Sequence, residues 1–262
     1  MYLAFLTSAF QTRLAYRGQV WASVFGDLVQ VFARIAIWMS LYAGVDSANG
    51  VSLREMITYA IFSSVLLHGW SWTGFVNLIG AQIKSGDVAV FLLKPLNYPL
   101  MLLAGECGKM LFRLVTVVLP VSVVVGLMYG VLPAASVFHG AMAAAFFVLG
   151  FAILFLLATI AGLLAFWLMT VFSLEWMLQA LLLIFAGWFV PLWFFPAPAA
   201  AIIEKLPFAY TAYHPMAVYL GKLDVETTLW TFAIGLGWAA LLAAIAAWLW
   251  SRARQRIVVQ GG

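Results

Sequence analysis

The sequence predicts an all-α, polytopic membrane protein with six transmembrane helices, and three observations carry that expectation. Hydrophobic residues make up 66% of the 262, and mean hydropathy is +1.08. Only 8% are charged, whereas an ordinary soluble domain carries about 25%. The apolar residues gather in six runs, each long enough for the ~20 residues that a bilayer crossing takes. No stretch between the runs approaches the ~50 residues of an independent soluble domain, so residues 1–262 read as one transmembrane domain. The net charge of +4 is the sign that positive residues at one membrane face produce, and it does not call for nucleic acid. Cys107 stands alone and forms no intrachain disulfide, so the redox compartment is not read from it.

Residues 1–18 come first. Tyr2, Leu3, Phe5, Leu6, Phe10 and Leu14 fall on one side, with Thr7, Gln11, Arg13 and Arg17 broadly opposite. That pattern predicts an amphipathic helix lying in the membrane interface. The charges follow the apolar part and no small-residue cleavage site appears, which disfavours a secretory signal. Span one is expected from Val20 to Ala43, ending at the turn-rich segment from Asp46 to Gly50. Span two follows from Leu53 to Ile79 and is unusually polar, with Ser63, Ser64, His68, Ser71 and Asn77. Span three covers Leu100 to Met128, where Pro120 should kink it. Near its end Gly126 and Gly130 form a GxxxG that reads either as a packing motif or as turn glycines before Pro133. Spans four (Phe138 to Trp167), five (Leu174 to Phe195) and six (Thr228 to Trp250) complete the set.

Lysine and arginine placement sets the orientation. With the N-terminus inside, Arg13, Arg17, Lys84, Lys94, Arg252, Arg254 and Arg256 all fall on the cytoplasmic side, while the far side receives only Arg54, Lys205 and Lys222. Both termini are thus expected in the cytoplasm, together with the loop 80–99. That loop interrupts two long apolar runs with Gly80, Lys84, Gly86, Asp87, Lys94, Pro95 and Pro99. Its apolar patch, Val88 to Leu93, is too short to cross a bilayer. Read alone, it is either a short surface helix, started by Asp87 and stopped by Pro95, or a plain loop.

Gly86-Asp87 followed by Phe91-Leu92-Leu93-Lys94-Pro95-Leu96 resembles the loop between the second and third spans of type-2 ATP-binding-cassette (ABC) exporter permeases, in the group called ABC-2 family transporter proteins. The resemblance covers the whole chain. It implies that the first helix is a cytoplasmic elbow helix, and that 80–99 carries a coupling helix docking on a separate ATPase subunit. Lys84, Gly86, Asp87, Phe91, Lys94 and Pro95 are the coupling residues it suggests. The segment 196–227 is the one long stretch on the far side, punctuated by Pro196, Pro198, Pro207 and Pro215 and rich in aromatics. Alone it reads as a belt-anchored loop or an interfacial, partly re-entrant element. Its Leu206-Pro207-Phe208-Ala209-Tyr210 and Pro215 resemble the outward-facing helical hairpin before the family's last span. The resemblance further implies a bacterial plasma (inner) membrane location and a dimer with a second copy or a similar permease chain. ATP and Mg would sit on the partner subunit, with no cofactor bound by this chain. The exported substrate would be amphiphilic or hydrophobic.

Charges within the spans are candidates for a pathway. Asp27 and Arg34 lie seven residues apart on one face of span one, and Glu106, Lys109 and Arg113 share a face of span three. A charge at mid-bilayer costs about 3 kcal/mol on insertion scales, so such groups pair or face water. They read either as a polar gate touching substrate or as structural ion pairs near the headgroups. Trp188, Phe189, Trp193 and Phe195 read either as an aromatic belt or as the lining of an outward exit. Catalytic signatures fail. Gly105 to Lys109 lacks P-loop spacing and is followed by Met110; Gly69 to Gly74 misses GxSxG by one residue. His68, His139 and His214 are scattered, and the four aspartates are too far apart for a local metal motif. An ATP-independent channel, and an intramembrane enzyme built from His68, Ser71, Glu106 or Arg34, are the readings that compete with a permease.

Overall fold

A computed structural model describes residues 2–14, 17–92, 97–168 and 171–260. The helices are α1 (Tyr2–Leu14), α2 (Arg17–Leu41), α3 (Leu53–His68), α4 (Trp72–Ser85), α5 (Asp87–Leu92), α6 (Tyr98–Arg113) and α7 (Leu119–Tyr129). They continue with α8 (Val137–Leu163), α9 (Ala165–Leu168), α10 (Phe172–Phe185), α11 (Ala197–Ile203), α12 (Tyr213–Tyr219) and α13 (Val225–Gln260). One two-residue ladder, β1 (Ser47–Ala48) against β2 (Val51–Ser52), closes over Asn49 and Gly50, both at positive φ. Such a turn is what Asn-Gly favours between antiparallel strands.

Among the described residues, four helical stretches are long and apolar enough to cross a membrane: Gly18–Leu41, Tyr98–Tyr129, Val137–Leu168 and Val225–Gln255. The two remaining expected spans are not single long helices. Residues 53–79 divide into α3 and α4 at Gly69-Trp70-Ser71. Residues 174–195 are α-helical only as far as Phe185; Gly187 then turns at φ +73°, and after Pro191 only a 3-10 turn, Leu192–Phe194, follows. Gly, Pro and tertiary anchors for the freed backbone outweigh the apolar composition of these segments.

Local chemistry explains the other boundaries. Ser52 and Glu55 form a reciprocal capping box at the start of α3, with Ser52 N–H donating to Glu55 Oε2 at 2.7 Å and Glu55 N–H to Ser52 Oγ at 3.3 Å. α6 and α7 are joined without interruption by a π-helical turn, Leu114–Val118. Pro120 has no N–H to give the carbonyl four residues back, and the wider turn just before it accommodates that loss. Gly130 ends α7 at φ +76°, so the second glycine of the GxxxG is a turn residue.

α8 occupies the centre of the helix set. Its Phe146, Ile153 and Ala158 are fully buried, and α4, α12 and α13 pack around it. Close approach depends on small residues: a side chain at Gly162 would meet Ile79 Cβ at 2.9 Å, and one at Gly80 would meet Val171 Cγ1 at 2.8 Å. α1 lies along α6, where the Leu6 carbonyl sits over Gly108 and Phe10 meets Phe112 edge-on at 5.4 Å. Gly108→Leu is therefore expected to lift α1 off α6 at a cost of about 1–3 kcal/mol. Faster hydrogen exchange across residues 2–14 would report it, and unchanged exchange would show that this contact does not hold the helix.

Candidate functional site

The break between α3 and α4 opens onto a cavity of about 310 Å³. Gln19, Val20 and Ser23 of α2 form one wall, Leu78 and Phe75 of α4 another, and Glu106, Lys109 and Arg113 of α6 the third. A second cavity of about 290 Å³ shares Trp70, Ser71 and Arg113 with the first and reaches Gln179, Leu182 and Leu183 of α10. At 1.5 Å per residue, the three α6 charges lie roughly 12–22 Å along their helix, so the site sits well inside the length of a span.

Its electrostatics are internally paired. Lys109 Nζ contacts Glu106 Oε1 at 2.6 Å, as their i,i+3 spacing implies. Trp70 Nε1–H donates to Glu106 Oε2 at 2.6 Å, so the buried carboxylate has a donor on each oxygen. Arg113 does not join that pair. Its Nη2 donates to both oxygens of Asp27, at 3.1 and 2.9 Å, linking α6 to α2. Asp27 and Arg34 share a helix but serve different partners.

Arg34 is 3% exposed, and among the described residues it makes no ion pair with a carboxylate. It instead ties three elements together through neutral acceptors. Nη1 donates to the Trp188 carbonyl at 2.8 Å; Nη2 donates to the Ala60 carbonyl, to Ser64 Oγ at 2.6 Å and to Ser63 Oγ at 3.2 Å. The guanidinium also lies 5.0 Å from the Trp188 ring centroid. The polarity of α3 thus has a purpose legible only in three dimensions. Tyr59 supports the same non-helical segment by donating to the Gly187 carbonyl at 2.6 Å.

The aromatics expected at the end of span five divide in role. Trp188 belongs to the Arg34 contact, and Phe189 is exposed. Trp193 packs between Tyr59 and Tyr213, at 5.2 and 5.4 Å, while Phe195 is half-buried beside Leu192 and Tyr213. Trp193 and Phe195 therefore serve the packing of the 187–219 segment. That segment is largely buried from Pro207 to Val218, so it is not a solvated loop. Tyr210 is wedged into notches at Gly150 of α8 and Gly235 of α13, its hydroxyl donating to the Thr231 carbonyl at 2.9 Å. His214 donates from Nε2 to the Glu204 carbonyl at 2.8 Å.

At the opposite end, Gly86 turns the chain at φ +79° and α5 begins. Asp87 is the first helical residue and accepts the Ser85 hydroxyl at 2.6 Å; it does not cap the helix, because the glycine turn supplies the start. Lys84, Asp87 and Val90 are exposed, whereas Val88 is buried and Phe91 packs 5.7 Å from Tyr98. Tyr98 in turn stacks on Trp250 of α13 at 4.9 Å and donates to Gln82 Oε1 at 2.6 Å. Lys94 and Pro95 lie outside the described residues, as does the side chain of His68.

Sequence reasoning missed Trp70, Gln19, Ser23 and Gln179. Gly69 and Ser71, two residues apart within an apolar run, were the available signal for the break, since interrupted spanning helices place backbone and polar side chains at a site. Among the described residues, no group of three His, Cys, Asp or Glu could hold a metal. The family model described as ABC-2 family transporter protein matches residues 28–261. No curated protein and no solved structure matches the chain.

Proposed function

The chain belongs to the ABC-2 family of transporter proteins, and on that premise we propose that it is the membrane half of an ATP-driven exporter for an amphiphilic substrate. The observation that carries this reading is α5, a short helix with Asp87 and Val90 exposed beside the exposed Lys84 at the end of α4, while Val88 anchors it to the helical core. An exposed helix with such an apolar root is suited to transmit force from a docked subunit. ATP and Mg sit on that separate ATPase subunit.

In this reading six crossings are made, with the broken pair α3–α4 and the short α10 completing the four long spans. Both termini, α1 and α5 lie on the cytoplasmic side of the inner membrane, as the lysine and arginine distribution favours. Residues 196–227 form a hairpin re-entering from the outside, where non-helical backbone is tolerated because protein covers it. A second permease copy, or a similar chain, faces α2 and α10 to complete the pathway. Closure of the ATPase pair pushes α5. The push passes to α4 through Gln82 and to α13 through the Tyr98–Trp250 stack. The α3–α4 break is where such a push can be absorbed without bending a continuous helix.

Reversing charge at Asp87 together with Lys94 is expected to leave expression and assembly intact but to disconnect ATP hydrolysis from transport. Reconstituted vesicles would show ATPase activity that no longer rises with substrate. Transport at the native rate would remove the loop from the mechanism, and a purified dimer with no ATPase partner would favour an ATP-independent channel.

A further inference from the structure

The paired cavities at the α3–α4 break hold more hydrogen-bond donors than their own carboxylates consume. Both oxygens of Glu106 and both oxygens of Asp27 already accept hydrogen bonds. Lys109 spends one contact on Glu106, and Arg113 spends a single terminal nitrogen on Asp27. The buried Nε of Arg113 has no partner. Gln19 and Ser23 on one side and Gln179 on the other add neutral polar groups. Ser71, at the start of α4, makes no side-chain cap and lines both cavities. The remaining walls are apolar: Leu78 and Phe75 in the first cavity, Leu182 and Leu183 in the second.

We propose that this double cavity binds the headgroup of an anionic amphiphile, a phosphate ester on an apolar chain, with the phosphate oxygens taking the free donors of Lys109 and Arg113. An acceptor-rich, negatively charged group satisfies the donor surplus. A cationic headgroup would find each carboxylate already engaged. The apolar tail lies over Leu182 and Leu183, on the side of α10 where the second cavity opens. Volumes of about 310 and 290 Å³ are at the lower end of the range of roughly 300–1,000 Å³ common for small-molecule sites. The inference deepens the exporter reading by giving it a substrate class, and rests on that reading only for the direction of travel.

The test uses the purified full-length chain in dodecyl maltoside, without an ATPase partner, titrated with dodecyl phosphate, dodecyltrimethylammonium and inorganic phosphate. Dodecyl phosphate is expected to bind saturably, and the other two not at all. Glu106→Gln with Lys109→Gln, which keeps a hydrogen-bonding pair but removes its charge, should weaken that binding about tenfold or more. Leu78→Trp, which fills the first cavity and leaves every ion pair in place, should do the same. Equal binding of the cationic amphiphile, equal binding of inorganic phosphate alone, or native affinity in both variants would each overturn the proposal. Binding needs no ATPase, so its loss tells against this site alone. A chain that binds dodecyl phosphate but recruits no ATPase would leave the site standing and sink the exporter reading.

Discussion

Arg34→Ala should cost about 3–5 kcal/mol of stability and disable transport. The expected loss has two parts. Truncation leaves a cavity among Ala60, Ser64 and Trp188, and large-to-small changes in a packed interior cost about 2–5 kcal/mol. It also takes the 2.8 Å donor from the Trp188 carbonyl and leaves only the Ser63 hydroxyl at 3.4 Å, and the loss of such a hydrogen bond costs about 1 kcal/mol. Two comparison variants separate these parts. Arg34→Met restores volume and, with it, most of the thermal stability, because removing a buried charge recovers its desolvation cost. It does not restore the tie between α2, α3 and the 187–195 segment, so transport stays low. Arg34→Lys also fails to restore transport, since one ammonium does not reproduce a fork that reaches Trp188 and α3 at once. Thermal unfolding of the purified chain and transport in vesicles check both claims. Full transport by the methionine variant would reduce Arg34 to a space-filler.

A second large effect is expected at the notch that seats the hairpin. Adding a methyl at Gly150 brings it onto the Tyr210 carbonyl, and backbone has no rotamer with which to yield. At Gly235 the obstruction is the ring of Tyr210, a residue only 1% exposed, together with Leu149 Cδ2 at 2.7 Å. Either Gly→Ala change is expected to destabilise by about 3 kcal/mol, the upper range for overpacking. The double variant should cost less than the sum, because one displacement of Tyr210 relieves both clashes. Tyr210→Phe is the mild control, losing only the hydrogen bond to Thr231, worth about 1 kcal/mol. Unfolding midpoints, with protease cleavage between residues 197 and 223 as the local readout, would show the hairpin leaving its seat. Native midpoints for both alanine variants would mean that α8 and α13 can separate at no cost.

The stretch after Gly86 read equally as a short helix or a plain loop, and the structure makes it a helix. The membrane character and the four long helices were legible from composition and run length, because each depends on neighbours in sequence. The Glu106–Lys109 pair was legible for the same reason, being one helical turn apart. Arg113 lines the same cavity as that pair, but its bond to Asp27 of α2 joins segments 86 residues apart and could not be read from spacing. Hydropathy alone cannot tell a continuous span from a broken one. Residues 53–79 and 174–195 are apolar enough to cross, yet their course is set by which partners wait for the released backbone. For 187–195 those partners are Arg34 and Tyr59, which meet the carbonyls of Trp188 and Gly187. The sequence by itself determined that helices would form and that they are apolar. Only the tertiary structure decided where they stop, because an unpaired carbonyl in an apolar interior is tolerated solely where a distant side chain arrives to bond it.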